Sequence, residues 1–158
     1  MAAPFPIDFP KYDLKFRTEK GQREIFDFIR KTFVALTPEE MVRQHLLHYL
    51  VLERGYAKGL LAVEMGLTLN QLSKRCDIVA YQNEGKPTMI VECKAPTVKL
   101  AQNIFDQAAR YNQVLMVPYL LISNGIECYC AKIDFTLGTF TFENEIPSYH
   151  QLLSTTHE

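Results

Sequence analysis

At 158 residues, 47% of them hydrophobic, the chain is long enough for one substantial core and close to the usual size of a single domain. Its 17 Lys plus Arg nearly cancel its 18 Asp plus Glu, so overall charge excludes a generally basic nucleic-acid binder and leaves only a local basic patch to hold such a partner. Apolar runs such as VLMVPYLLIS around Pro118 fall short of the roughly 20 residues that span a bilayer. MAAPFPIDFP lacks the basic and apolar regions of a signal peptide, so a cytoplasmic protein without a membrane partner is expected. In that compartment Cys76, Cys93, Cys128 and Cys130, which show no metal-finger spacing, should stay reduced.

Residues 1–36 read as an N-terminal arm and 37–158 as the main domain. In the arm, two extended runs flank Glu19-Lys20-Gly21, which predicts a β-hairpin with Gly21 at positive φ. TPEEMVRQHLLHYLVLERGY follows, with Thr37 as N-cap, Pro38 at the first helical position, Glu40 completing a capping box and Gly55 as the stop. GLLAVEMGL, KRCDIVAYQ and TMIVECKA read as three strands joined by short polar links, hence an antiparallel meander. A second helix is expected over LAQNIFDQAARYNQVL, with Leu100, Ile104, Ala108, Tyr111 and Leu115 at helical spacing. The passage through it is long enough for a parallel crossover to PYLLIS, with GIECYCAKI and GTFTFE as further strands. The order helix, three-strand meander, helix, strand predicts an α/β fold with a mixed sheet flanked by helices.

The unusual segment is MIVECKAP, where Glu92 and Lys94 interrupt an apolar strand. A hairpin loop centred on Glu84-Gly85 pairs positions whose numbers sum to 169, which sets Asp77 opposite Glu92. Directly opposed residues have Cα atoms about 4.5–5.5 Å apart. Like charges so placed destabilise a sheet unless they take up a proton or a cation. Lys94 falls on the same face as Glu92, while alternation sends Cys93 and Cys76 to the other face with Val91 and Ile78. Two carboxylates are hard oxygen ligands suited to Mg²⁺, which polarises a phosphodiester and acidifies bound water, and Lys94 beside them would neutralise developing charge. Glu-x-Lys alone is weakly specific, and most such pairs are surface ion pairs. The apolar flanks and the opposed Asp77 set this one apart.

Cys76-Asp77 followed by Glu92-Cys93-Lys94 resembles the PD-(D/E)XK nuclease motif of restriction-endonuclease-like folds, with Cys76 where proline is usual. More specifically, TPEEMVRQHLLHYL, RCDIVAYQ, PTMIVECKAP, QAARYN and LLISNGIECY together resemble the N-terminal nuclease domain of type I restriction enzyme R subunits. The helicase motor that follows that domain and a Walker loop are missing from this sequence, which therefore reads as a free-standing relative. The resemblance implies Asp77 and Glu92 as ligands of Mg²⁺ or Mn²⁺, Lys94 as the catalytic lysine, and Gln107 and Tyr111 as the QxxxY element beside the active site.

Spacing puts Gln107 and Tyr111 on one helical face, a pattern that core packing explains equally well. Glu39 shares a face with Val42, Leu46 and Tyr49, and so is the helical acid expected nearest the metal. Glu64 would reach Asp77 if its hairpin loop centres on Asn70-Gln71, and is otherwise a strand-end surface acid. Lys99, Arg110 and Arg43, with Lys94, are the candidate phosphate-contacting patch. His45 and His48 lack a third ligand, and Cys128 and Cys130 read as packed thiols. Two functions remain: a metal-dependent nuclease acting on DNA, or a non-catalytic module of the same fold that binds nucleic acid or protein. A homodimer or a further protein partner stays open.

Overall fold

The structure is a computed structural model and describes residues 4–155. Helix α1 (Pro38–Arg54) starts as its cap demands: the Thr37 hydroxyl oxygen accepts from the Glu40 N–H at 3.0 Å. It ends at Gly55, whose φ of 75° is left-handed. Strands β5 (Leu61–Leu69), β6 (Leu72–Tyr81) and β7 (Pro87–Cys93) form the meander, and α2 (Gln102–Leu115) carries the chain to β8 (Tyr119–Ser123), parallel to β7. Strand β9 (Glu127–Asp134) returns antiparallel to β8, flanked in turn by β10 (Thr139–Glu143) and the short β1 (Phe5–Pro6). The result is a mixed sheet in the order β1-β9-β8-β7-β6-β5, with β10 also on β9.

The central strands are buried on both faces, as their near-continuous apolar runs require. On one face Leu46, Leu47 and Leu50 of α1 pack against Ile78, Met89, Val91 and Leu121. On the other, Phe105, Ala109 and Leu115 of α2 cover Val79, Ile90, Leu120 and Ile122. The four cysteines are free thiols and all are buried. Among the described residues no helix is long and apolar enough to cross a membrane.

Three elements exceed the sequence reading. The arm is a three-stranded sheet of β2 (Phe16–Glu19), β3 (Gln22–Asp27) and β4 (Thr32–Ala35), not a hairpin alone. Asp27 makes the second turn, its Oδ1 accepting from the N–H groups of Ile29 and Arg30 at 2.8 and 2.9 Å. Helix α3 (Tyr149–Thr155) is opened by Ser148 and Gln151: the Gln151 N–H donates to Ser148 Oγ at 3.1 Å and the Ser148 N–H to Gln151 Oε1 at 2.9 Å. Strand β1 joins the main sheet.

The hairpin of β5 and β6 does not keep one phase along its length. Its two-residue loop is Asn70-Gln71, both at positive φ, and the ladder pairs Val63 with Ile78 and Met65 with Cys76 but skips Glu64 and Asp77. Glu64 has a φ of 54°, rare for a side-chain-bearing residue inside a strand. Inside this row Ile78 packs on the α1 face; beyond it Cys76, Leu72 and Leu67 pack on the α2 face. The strand pair turns over at Asp77. Cys93 lies with Val91 and Ile78 as alternation requires, but Cys76 does not join it, because the irregular row reverses the pattern.

The turn from β8 to β9 presses on α1. Gly125 has a φ of 86°, and a Cβ there would lie 3.1 Å from Val42 Cγ2. Gly125→Ala therefore combines backbone strain with a core clash and should destabilise by about 1–3 kcal/mol. A lower urea midpoint at an unchanged m value is the expected outcome.

Candidate functional site

The site lies where the β6–β7 ladder ends. Pairs Ile78–Val91, Val79–Ile90 and Ala80–Met89 follow the sum-of-169 register, with a bulge confined to the loop end at Tyr81. Continued by one row, the register sets Asp77 against Glu92. The Asp77 carboxylate there takes over from the ladder, its Oδ2 accepting the Cys93 N–H at 2.7 Å. The Asp77 carboxylate stands close enough to Glu92 to favour a proton on it.

Burial pushes the Glu92 pKa up to about 7; the hydrogen bond from Lys74 opposes the shift, and Asp77 adds to it. Lys74 Nζ lies 2.7 Å from Glu92 Oε1, and 5.3 Å from the Tyr111 ring centroid. A pocket of about 110 Å³ opens here, lined by Lys74, Glu92, Lys94, Gln107 and Tyr111 over Ile104 and Ile122. Lys94, fixed through its N–H to Ser123 O at 2.8 Å, has no side-chain partner among the described residues. Gln107 and Tyr111 thus share this pocket with Glu92 and Lys94. Arg110 is exposed in the adjoining groove with Leu72 and Val114, and Lys99 is exposed on the loop before α2.

Behind Asp77 runs a network of charges. Glu40 is 4% exposed; it accepts from Arg30 at 2.8 Å, from Arg43 at 2.7 and 2.8 Å, and from Gln44 at 3.2 Å. Burial alone would raise its pKa, but these bonds outweigh it and hold the pKa below the ordinary value. Arg43 lies 3.6 Å from both Asp77 and Glu64, while Arg75 reaches Glu64 at 2.9 Å. Arg30, on the β3–β4 turn, is bonded to the fully buried Asp27 at 2.7 Å.

Several sequence expectations are corrected by this geometry. Glu39 does not face the sheet: it is exposed, and Glu40 is the buried acid of the helix. Glu40 gives its backbone N–H to the cap, which leaves the carboxylate free to turn inward on the line of Arg43 and Leu47. Arg43 is 8% exposed, so it is an interior ion-pair partner and not part of an open phosphate-binding patch. Glu64 does fall in the Asp77 row, but its carboxylate faces arginines. Lys74 was missed altogether, because regular alternation sends it to the opposite face. His45 and His48 bond the carbonyls of Met41 and Gln44, as packed helix residues do.

Among the described residues no group of three or more His, Cys, Asp and Glu is gathered for a metal. The donor chemistry of Asp77 and Glu92 nevertheless fits Mg²⁺, which commonly takes one or two carboxylates and completes its shell with water. Two carboxylates in contact, one with a raised proton affinity, are a place where a cation substitutes for a proton.

Two measurements follow. Glu40→Gln removes the buried charge that Arg30 and Arg43 share and should cost roughly 3–5 kcal/mol, against about 0.5 kcal/mol or less for Glu39→Gln. Urea denaturation separates them. In EDTA, folded Glu92 keeps its proton up to about pH 7, whereas the unfolded side chain releases it near 4.5. The folded state binds more protons between those values, so this stabilisation is complete below the lower one and is lost as pH rises through the upper. Glu92→Gln should remove that slope between about pH 5 and pH 7.

No curated protein gives a significant match. The structure is similar to a fragment assigned as an HsdR subunit of a type I restriction enzyme from Vibrio vulnificus YJ016, at a TM-score of 0.56 and 18% identity. The match covers 77% of this chain and 25% of that one, so this chain spans a quarter of its neighbour's length. The fold is shared and restriction-endonuclease-like. Residues 38–147, more than half of the chain, match the profile described as type I restriction enzyme R protein N terminus. The chain belongs to that family.

Proposed function

We propose that the chain is a metal-dependent nuclease that hydrolyses phosphodiester bonds in DNA. The observation that carries this reading is the meeting of the Asp77 and Glu92 carboxylates at the open end of a ladder, beside a Lys94 with no side-chain partner among the described residues. Asp77 and Glu92 would hold Mg²⁺ or Mn²⁺, which supplies Lewis acidity and a bound water of lowered pKa. The Cys93 N–H fixes Asp77, and α2 with β8 shields Glu92 from bulk water. Lys94 aims its charge at the phosphate oxygens or the attacking water. Gln107 offers an amide and Tyr111 an aromatic wall to the bound strand. Lys99 and Arg110 flank the pocket as backbone contacts, which set affinity more than specificity.

A second reading has one observation in its favour. Glu92 is already neutralised by Lys74 and Asp77 is flanked by Arg43, so the carboxylates are tolerated without a metal. A non-catalytic module binding nucleic acid or protein needs nothing more.

Incubating the protein with supercoiled, linear and single-stranded DNA in Mg²⁺, Mn²⁺ or EDTA decides between them. Cleavage with metal and none in EDTA is the expected outcome. Binding without cleavage of any form supports the module. Lys94→Ala should lose a factor on the order of 100 or more in rate yet keep the metal-induced rise in Tm. Asp77→Asn and Glu92→Gln should lose both. Lys94→Ala cutting as fast as the natural protein would reduce Lys94 to a bystander.

A further inference from the structure

Lys74 reaches the site only because β6 turns over at the Asp77 row. With regular alternation its side chain would leave on the α1 face; instead its ammonium sits on Glu92 and over the Tyr111 ring. The side chain is 20% exposed and shares the pocket with Lys94 and Gln107. Its partner is the same carboxylate to which the proposed function assigns the metal. An ammonium 2.7 Å from Glu92 Oε1 and a divalent cation between Glu92 and Asp77 compete for one set of oxygen lone pairs.

Charge arithmetic gives the exchange a direction. Lys74 and Lys94 of the pocket balance Glu92 in its wall and Asp77 beside it when all are ionised. A dication added to the carboxylates leaves a surplus of two positive charges facing a small polar space, which is the requirement of a phosphodiester. The Tyr111 ring keeps the ammonium beside the pocket when Glu92 is taken, since a cation over an aromatic face is held by the ring quadrupole.

We propose that Lys74 is a phosphate-contacting residue of the DNA site, held in reserve on Glu92 and released to the scissile strand when a divalent cation takes that carboxylate. This rests on the reading of Asp77 and Glu92 as a metal site. It makes the metal and the DNA cooperative: each binds more tightly once the other has displaced or engaged Lys74. It also predicts effects of opposite sign from one substitution, which a merely structural ion pair does not produce.

The test uses Lys74→Met, which keeps most of the apolar stem and loses the charge, with Lys74→Gln as the alternative should the first fold poorly. Mn²⁺ affinity is read without DNA, from the rise of Tm over an Mn²⁺ titration. Removing the competing ammonium should tighten Mn²⁺ binding by about tenfold, the worth of one charge-assisted hydrogen bond. Affinity for a short DNA duplex is then read by fluorescence anisotropy in a Lys94→Ala background, where cleavage is suppressed. Lys74→Met should weaken binding about tenfold in Mn²⁺ and leave it unchanged in EDTA, and Lys74→Arg should restore the binding in Mn²⁺. Weaker or unchanged Mn²⁺ binding by Lys74→Met, or equal DNA affinity in Mn²⁺, overturns the role given to Lys74. If Mn²⁺ leaves the Tm of the unsubstituted protein unmoved, the metal site itself is overturned and this inference falls with it.

Discussion

Carboxylates drawn to one end of a sheet repel, and the architecture around this site answers that repulsion. Asp77, Glu92, Glu64, Glu40 and Asp27 are met by Arg43, Lys74, Arg75 and Arg30, each cation within 4 Å of at least one acid. The cations come from different parts of the chain: the β3–β4 turn, helix α1 and the far half of β6. That dispersal makes the arm, the helix and the sheet one electrostatic unit, since a buried charge without its partner costs far more than the pair contributes. A purely apolar end to the sheet would be simpler to fold. A cluster of compensated acids instead points to a use for the acids.

The compensation also divides the site into two sides. On the α1 side, Glu40 and the arginines form a closed set in which every charge is answered within the fold. On the α2 side, Glu92 has an elevated proton affinity, Lys94 has no side-chain partner among the described residues and a pocket stands open. Asp77 belongs to both, with one oxygen toward Arg43 and the other on the Cys93 N–H. The closed side fixes where Asp77 stands, and the open side has capacity to bind.

What the sequence revealed follows the range of the forces involved. Register needs only a turn and a period of two, so the opposition of Asp77 to Glu92 was legible. So was the parallel crossover, because connection length restricts the topology. Glu39 was chosen over Glu40 because the capping box was read as using both the backbone and the side chain of Glu40. The structure uses only the backbone there, and Arg30, forty-seven positions before Asp77, claims the carboxylate. Such a partner is set by tertiary contact and leaves no local trace. Cys76 was misplaced and Lys74 missed for another reason: a single left-handed residue, Glu64, reverses the phase of everything beyond it, and a glutamate gives no warning of positive φ. Helix α3 was different again. Its Ser148–Gln151 cap follows the same rule that found Thr37 and could have been read.

The buried thiols give the two layers separate reporters. Cys93 packs under α1 and Cys76 under α2, and burial raises both thiol pKa values, Cys76 to about 11. A thiol so protonated and covered reacts with an alkylating reagent only when its layer opens, so its labelling rate measures a local opening equilibrium. With the other three cysteines replaced by alanine or serine, one remaining thiol would time the breathing of one face. The sheet itself, with Asp77 and Glu92 at its end, is the wall between the two clocks.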